Sequence, residues 1–238
     1  NLENLFDTID YPDKNDEQFL PNGDYHWNSA KYMTKLDRMS EVITQIGDEF
    51  VKGGPAVIGV SEAENIHVLE DLCSTPLMVA SGYVPILVEG PDLRGVDVGL
   101  LYRKDLFTLL SVSSHRLTVE GYDDFYTRDQ LLVNGILAGD TLHFIVNHWP
   151  SRRGGEKRSA PLREAAAKLS RSIVDSILAV NPNAKIFVMG DLNDNPSDAS
   201  VNKHLNATGN EKDIATTKLF NPMYNMYKKD GLGSNAYR

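Results

Sequence analysis

KIFVMGDLNDNP, residues Lys185 to Pro196, sets an apolar run against a burst of carboxylates and amides. Lys185–Gly190, with Phe187-Val188-Met189 at its centre, suits a buried strand. The polar half, Asp191-Leu192-Asn193-Asp194-Asn195-Pro196, has two readings. It is a turn whose Asp and Asn side chains cap the helix expected from Pro196 onward, or it is the end of a strand that carries polar groups to the lip of a cleft. In an extended segment Asp191 and Asn193 point one way and Leu192 points into the core. A carboxylate and an amide would then share a face, where they can hold an attacking water beside a phosphoryl oxygen or a hydrated metal. Asp194 or Asn195 is left to make the cap.

The same pattern recurs upstream. Ala56-Val-Ile-Gly-Val-Ser-Glu62 reads as a buried strand that ends on an acid, and Thr141–Asn147 as a strand that delivers His148. Three strands thus end in polar residues: Ser61-Glu62, Asn147-His148 and Asp191-Leu192-Asn193. A rigid sheet can aim such groups at one point. Around them, Met33, Leu36, Met39, Ile43, Ile46 and Phe50 give residues 28–50 the period of an amphipathic helix, and a short helix is expected over Ile66–Cys73. Val84–Val88, Val96–Tyr102, Leu106–Val112 and Leu131–Ala138 read as strands, with Gly139-Asp140 as a two-residue hairpin turn before Thr141. A long helix is expected over Pro161–Val180, with Pro161 in its first turn. This pattern predicts a layered α/β domain: mixed or antiparallel sheets packed face to face, helices outside.

The charge balance narrows the partners. Lys and Arg total 24 against 33 Asp and Glu, a net charge of -9, which argues against a protein that grips nucleic acid mainly by neutralising phosphates. Locally the balance reverses: from His148 to Arg163 there are five Lys or Arg residues and one acid. Arginines beside a histidine suit an anionic substrate, with guanidinium groups on phosphate oxygens and an imidazole that trades a proton. For Arg153, Lys157 and Arg158 a solvated loop is the better reading. Glu62, followed by Glu64-Asn65, is the hard-oxygen donor that Mg²⁺ prefers, although an acid after a strand also caps helices. Arg94 with Asp97, and Arg128 with Asp129, read as arginine–acid pairs. Tyr25, Trp27, Tyr122 and Tyr126 are assigned to packing or to a cleft rim. The lone Cys73 excludes an internal disulfide and reads as a buried thiol. No apolar run approaches the ~20 residues of a membrane helix.

Five segments, taken in order, resemble the endonuclease/exonuclease/phosphatase superfamily: NLENLFD at 1–7, IGVSEAEN at 58–65, RGVDVGLLYR at 94–103, VNHWPSRRGG at 146–155 and GDLNDNP at 190–196. NHWPSRRGG and ENLFD resemble its bacterial branch. The resemblance implies a four-layer α/β sandwich of the deoxyribonuclease-I-like kind and a phosphoesterase dependent on Mg²⁺ or Mn²⁺. It places Glu62 and Asn1 at the metal, His148 on the scissile phosphate, and Asp191 and Asn193 on the attacking water. Arg128, and less directly Arg152 and Arg163, fall at substrate phosphates. The substrate it implies is a phosphate ester of nucleic acid, lipid or sugar, with phosphodiesters and nuclease activity first. A catalytically degraded binding protein is the alternative from another class. One departure stands out. The family closes on a Ser-Asp-His motif, and after Gly190 this chain has only His204, an unsuitable candidate. Residues 1–238 are therefore expected to be one domain cut from a longer chain at both ends. A monomer is expected, in the bacterial cytoplasm or exported.

Overall fold

The computed structural model describes residues 1–214 and 218–233. Along the chain run α1 (Ser29–Gln45), β1 (Val57–Ala63), α2 (Ile66–Cys73), α3 (Pro76–Ser81), β2 (Tyr83–Leu87), β3 (Asp97–Arg103) and β4 (Phe107–His115). Then come β5 (Gln130–Leu137), β6 (Asp140–His148), α4 (Glu156–Val180), β7 (Lys185–Asp191), β8 (Ala207–Thr208), β9 (Leu219–Phe220) and α5 (Met223–Asp230). Contacts divide them into two compact units. The first holds Asn1–Arg116, Asp124–His148 and Phe187–Asp191; the second holds Leu117–Asp123, Trp149–Ile186 and Leu192–Arg238.

The first unit contains two sheets, ordered β1-β3-β2 and β4-β5-β6-β7. The pairs β1–β3, β2–β3, β4–β5 and β5–β6 are antiparallel. Strand β3 shows why the sheets stack. Val98 and Leu100 join Leu131, Val133, Phe144 and Val146 in one core, while Leu101 joins Leu36, Leu69, Leu72 and Met78 from the helices in another. Side chains alternate across a strand, so Val98 and Leu100 on one face and Leu101 on the other fill the space on both sides of β3. The mixed α/β architecture of two sheets packed with helices is the one expected. Cys73 is buried, and burial pushes its thiol up to about 12.

Several boundaries differ, each for a local reason. The apolar period continues to Phe50, but α1 stops at Gln45 because Ile46 turns extended and Gly47 is left-handed (φ 66°). Phe50 is 85% exposed, and the buried face of α1 is Tyr32, Leu36, Ser40 and Ile43. The hairpin turn lies one residue early: Leu137 pairs with Asp140, leaving Ala138-Gly139 as the loop, with φ of 51° and 86°. Two consecutive left-handed residues make the turn whose twist matches antiparallel strands. Helix α4 begins five residues before Pro161, where Gly155 starts the ladder by accepting from the Ser159 amide. Pro161 sits inside the helix and is exposed, at the expense of one backbone bond. Strand β7 is half-exposed rather than buried, since it lies at an edge of its sheet; Phe187 is covered on one side by Phe144, stacked at 5.2 Å.

In the second unit α4 buries Ala166, Ala167, Ser170, Ile173 and Val174. No α-helix begins at Pro196. The Asp198 carboxylate takes the Asn195 amide, and Ser200–His204 forms a single π turn. His204 pairs there with Glu164. Strands β8 and β9 pair in parallel. Among the described residues no helix is long and apolar enough to cross a membrane.

Candidate active site

Strand β1 reaches the site through a bulge. Ser61 pairs with Val98 and Ala63 with Asp97, so Glu62 is the extra residue, held left-handed at φ 63°. A bulge re-aims a side chain that regular pairing would send elsewhere. The chain start runs alongside: the Leu2 and Leu5 amides donate to the Ser61 and Glu62 carbonyls, both at 2.8 Å. Between them Glu3 and Asn4 are also left-handed, at φ 52° and 60°. The Asn4 amide donates to Glu62 Oε2 at 2.8 Å, and the Glu3 amide to Asn1 Oδ1 at 2.7 Å. Asn1 Nδ2 in turn donates to Asp191 Oδ2 at 2.9 Å.

Strands β6 and β7 bring in the other two strand-end groups. A side chain at Gly190 (φ 123°) would lie 2.0 Å from the Asn147 carbonyl oxygen, so only glycine lets β7 approach here. Asn147 Nδ2 donates to the Met189 carbonyl and ties the two strand ends together. His148 Nε2 lies 3.7 Å from Glu62 Oε1. Burial pushes the imidazole pKa down to about 2, helped by Arg128 and Arg94, so His148 is neutral at physiological pH. Its Nδ1 is buried without a hydrogen-bond partner among the described residues.

Arg94 and Arg128 are both fastened to Asp92, an acid that carries no signal in the sequence. Arg128 Nη1 donates to Asp92 Oδ2 at 3.2 Å, and Arg94 Nε lies 3.6 Å from Oδ1. The pairing expected of Arg94 with Asp97 is replaced because Asp97 turns both carboxylate oxygens to the Gly90 amide. Asp129, expected beside Arg128, takes Ser114 and Arg116. Burial lowers the Arg128 pKa from its ordinary value, opposed by Asp92 and more weakly by Glu62, so one electrostatic neighbourhood includes Arg128, Glu62 and His148.

Asp97 gives a prediction about stability. Burial raises its pKa from 3.8 to about 7. Between those values the folded chain keeps a proton that the unfolded chain has released, so stability falls as pH rises through the window. From pH 5 to pH 8 the Asp97 share of this loss is expected to reach about 2–3 kcal/mol. Asp97→Asn should remove that share while the loss from Glu64, whose carboxyl burial raises to about 8, persists. Urea midpoints of both proteins at the two pH values measure it; parallel slopes would exclude Asp97 as the source.

Five of the expected site residues, Asn1, Glu62, Arg128, His148 and Asp191, belong to the first unit and are brought together there. Asn193, Arg152 and Arg163 belong to the second. The extended geometry that would align Asp191 with Asn193 stops at Asp191, because Asn193 is left-handed at φ 51°. Asn193 Nδ2 donates to the Trp149 carbonyl at 3.0 Å, and its own carbonyl accepts from Arg152 Nε. Arg152 also pairs with Asp194, Asp198 and Glu156. Arg163 is 0% exposed and lies 2.6 Å from Asp194. Both arginines therefore hold the loop after β7, a role hidden in the sequence because Asp194 lies far along the chain. Two participants leave no readable signal: the Asn4 amide, and Lys35 of α1, whose Nζ donates to the Glu3 and Asn4 carbonyls.

The donor set can be tested against a metal. Among the described residues no three His, Cys, Asp or Glu side chains cluster to cage an ion. Glu62 makes no ion pair with Lys or Arg among them, its histidine neighbour is neutral, and the Glu3-Asn4 turn that binds it also binds the amide oxygen of Asn1. One or two carboxylates with water filling the remaining positions is what Mg²⁺ accepts, so these residues fit a hard, mostly hydrated divalent cation.

A sequence model of the endonuclease/exonuclease/phosphatase family matches residues 1–238. No curated protein sequence matches the chain. Among solved structures, TDP2 from C. elegans aligns with TM-score 0.52 and 18% identity over 70% of this chain and 44% of its own. The Bacteroides thetaiotaomicron mannosyl-6-phosphatase Bt3783 aligns with TM-score 0.55 and 18% identity, over 75% of this chain and 66% of its own. The human nocturnin catalytic domain with bound sulfate gives 0.50 and 18%, over 77% and 64%. The chain thus spans less than half of the TDP2 chain, and at these identities the likeness is one of fold.

Proposed function

This chain belongs to the endonuclease/exonuclease/phosphatase family, and from that membership and its site we propose a divalent-cation-dependent phosphoesterase that cleaves P–O bonds with water. The observation that carries the proposal is the Glu62 carboxylate, re-aimed by a bulge, in no ion pair with Lys or Arg among the described residues, and 3.7 Å from a neutral histidine. Glu62, with Asn1 beside it, would hold Mg²⁺ or Mn²⁺, which supplies Lewis-acid polarisation of the phosphoryl group and screens charge on the leaving oxygen.

The chain's own groups divide the remaining work. Asp191, oriented by Asn1 Nδ2, directs the attacking water. Neutral His148 gives one N–H to a phosphoryl oxygen, and Arg128 sets a fixed positive charge behind it. Such preorganised donors stabilise charge as it develops. Phosphoryl transfer needs little covalent work from the protein, so no Ser or Cys nucleophile is required. Asn193, two residues beyond Asp191, is retained as a water-orienting residue on the family resemblance alone.

Phosphodiesters are the substrates we propose first. The net charge of -9 disfavours duplex DNA gripped through its phosphates and points to single-stranded or small substrates, with sugar or lipid phosphate esters as the second reading. The decisive experiment compares bis-p-nitrophenyl phosphate with p-nitrophenyl phosphate, with and without Mg²⁺ or Mn²⁺, on this chain and on any longer form. Diester hydrolysis that requires the cation supports the proposal. Preference for the monoester would favour the phosphatase reading, and cation-independent hydrolysis would overturn the metal assignment.

A further inference from the structure

Three non-glycine residues of the first unit, Glu3, Asn4 and Glu62, hold left-handed backbone in one small region. Such a conformation costs roughly 1–2 kcal/mol per residue, and it persists only where surrounding contacts over-determine it. For Glu3 and Asn4 those contacts fall on two sides. Their amides face the site, one on Asn1 Oδ1 and one on Glu62 Oε2. Their carbonyls face helix α1, where the Lys35 ammonium donates to Glu3 O at 2.7 Å and Asn4 O at 3.1 Å.

We propose that Lys35 is a positioning residue for the cation-binding groups Glu62 and Asn1, acting through the Glu3-Asn4 turn that it clamps from behind. The inference rests on the metal reading of Glu62 proposed for this site. Three features fit the role. Bonds from an ammonium to carbonyl oxygens are charge-assisted and stronger than neutral ones. The ammonium is itself held in place, 5.5 Å from the centroid of the Trp27 ring, whose Nε1 donates to the Phe6 carbonyl at 2.9 Å. Polarising the Glu3 carbonyl also makes the Asn4 N–H of the same peptide group a better donor to Glu62 Oε2 on the far side of the turn. Lys35 needs no contact with a cation or substrate to do this. It fixes the donors on which cation affinity depends, as outer-shell partners do at metal centres.

The test reads cation binding directly. Mn²⁺ dissociation constants, from the free-ion electron paramagnetic resonance signal, are compared for wild type, Lys35→Met, Lys35→Arg and Glu62→Gln, with melting temperatures alongside. Lys35→Met is expected to weaken Mn²⁺ binding about 10- to 100-fold, as outer-shell losses do. Lys35→Arg, which still offers charged donors to both carbonyls, should recover most of it. A Lys35→Met protein of lowered melting temperature but unchanged Mn²⁺ affinity would overturn the inference, since that is the result of a purely structural lysine. If Lys35→Met fails to fold, Lys35→Gln is measured instead, and wild-type affinity there overturns the inference equally. The two layers separate cleanly. Mn²⁺ binding indifferent to Glu62→Gln removes the metal reading itself, whereas binding lost in Glu62→Gln but intact in Lys35→Met removes only the role of Lys35.

Discussion

Glu62→Gln is expected to lower phosphodiester hydrolysis about a thousandfold while leaving the fold intact, because several kcal/mol of transition-state stabilisation are routed through one carboxylate. The substitution is isosteric. A glutamine side chain still offers an oxygen to the Asn4 amide, which donates to Glu62 Oε2 at 2.8 Å, so the bulge and its left-handed backbone keep their anchor. What it removes is the negative charge. In the native chain that charge is part-buried beside an imidazole that burial keeps neutral. Holding a part-buried charge there costs desolvation that Arg128 and Lys35 offset at a distance, and sites poised for binding commonly trade stability for function. The variant should therefore melt close to the wild-type temperature. The measurement is kcat/KM for bis-p-nitrophenyl phosphate against Mn²⁺ concentration, with thermal unfolding in parallel. Activity restored by excess Mn²⁺ would demote Glu62 to one ligand among several; activity unchanged at every Mn²⁺ concentration would remove it from the chemistry.

The legibility of this site divides along a physical line. Period-two alternation and strand-end polarity are local properties, and they place Glu62, His148 and Asp191 at the ends of β1, β6 and β7. Side-chain direction after the strand ends is not local in the same sense. Glu62 faces its partners because Ser61 and Ala63 skip one position against β3, and nothing in Ser61-Glu62-Ala63 marks a bulge. The Asp191–Asn193 alternation is a sound argument for extended backbone, but Asn193 is not extended. Pairing between distant charges is the least legible of all. Asp92 draws Arg128 from 36 positions away, while the nearer Asp129 turns to Ser114 and Arg116. The basic stretch from His148 to Arg163 is conspicuous for its excess charge, yet two of its arginines are spent on acids beyond β7.

That diversion of arginines carries the second large effect. Arg163→Met is expected to destabilise the chain by about 3–5 kcal/mol, the usual result of breaking a buried ion pair from one side. Arg163 is 0% exposed. Its Nε lies 2.6 Å from Asp194 Oδ1, and its Nη1 donates to Ser159 Oγ at 2.8 Å. The Asp194 carboxylate is itself buried; its second oxygen accepts from Ser200 Oγ at 2.6 Å, and Arg152 reaches Oδ1 at 3.1 Å. Methionine fills much of the vacated volume but leaves Asp194 with less positive charge than its burial requires. The melting temperature should fall by something on the order of 10 °C. The double variant Arg163→Met/Asp194→Leu should recover part of the loss, since a buried pair replaced by apolar groups of similar size is often close to neutral. A phosphate-contacting arginine would behave differently, raising KM with little change in melting temperature. Thermal unfolding of the two variants, read beside KM for bis-p-nitrophenyl phosphate, decides between the roles. An unchanged melting temperature with a raised KM would return Arg163 to the substrate. A lower melting temperature, partly restored in the double variant, places it under the loop after β7.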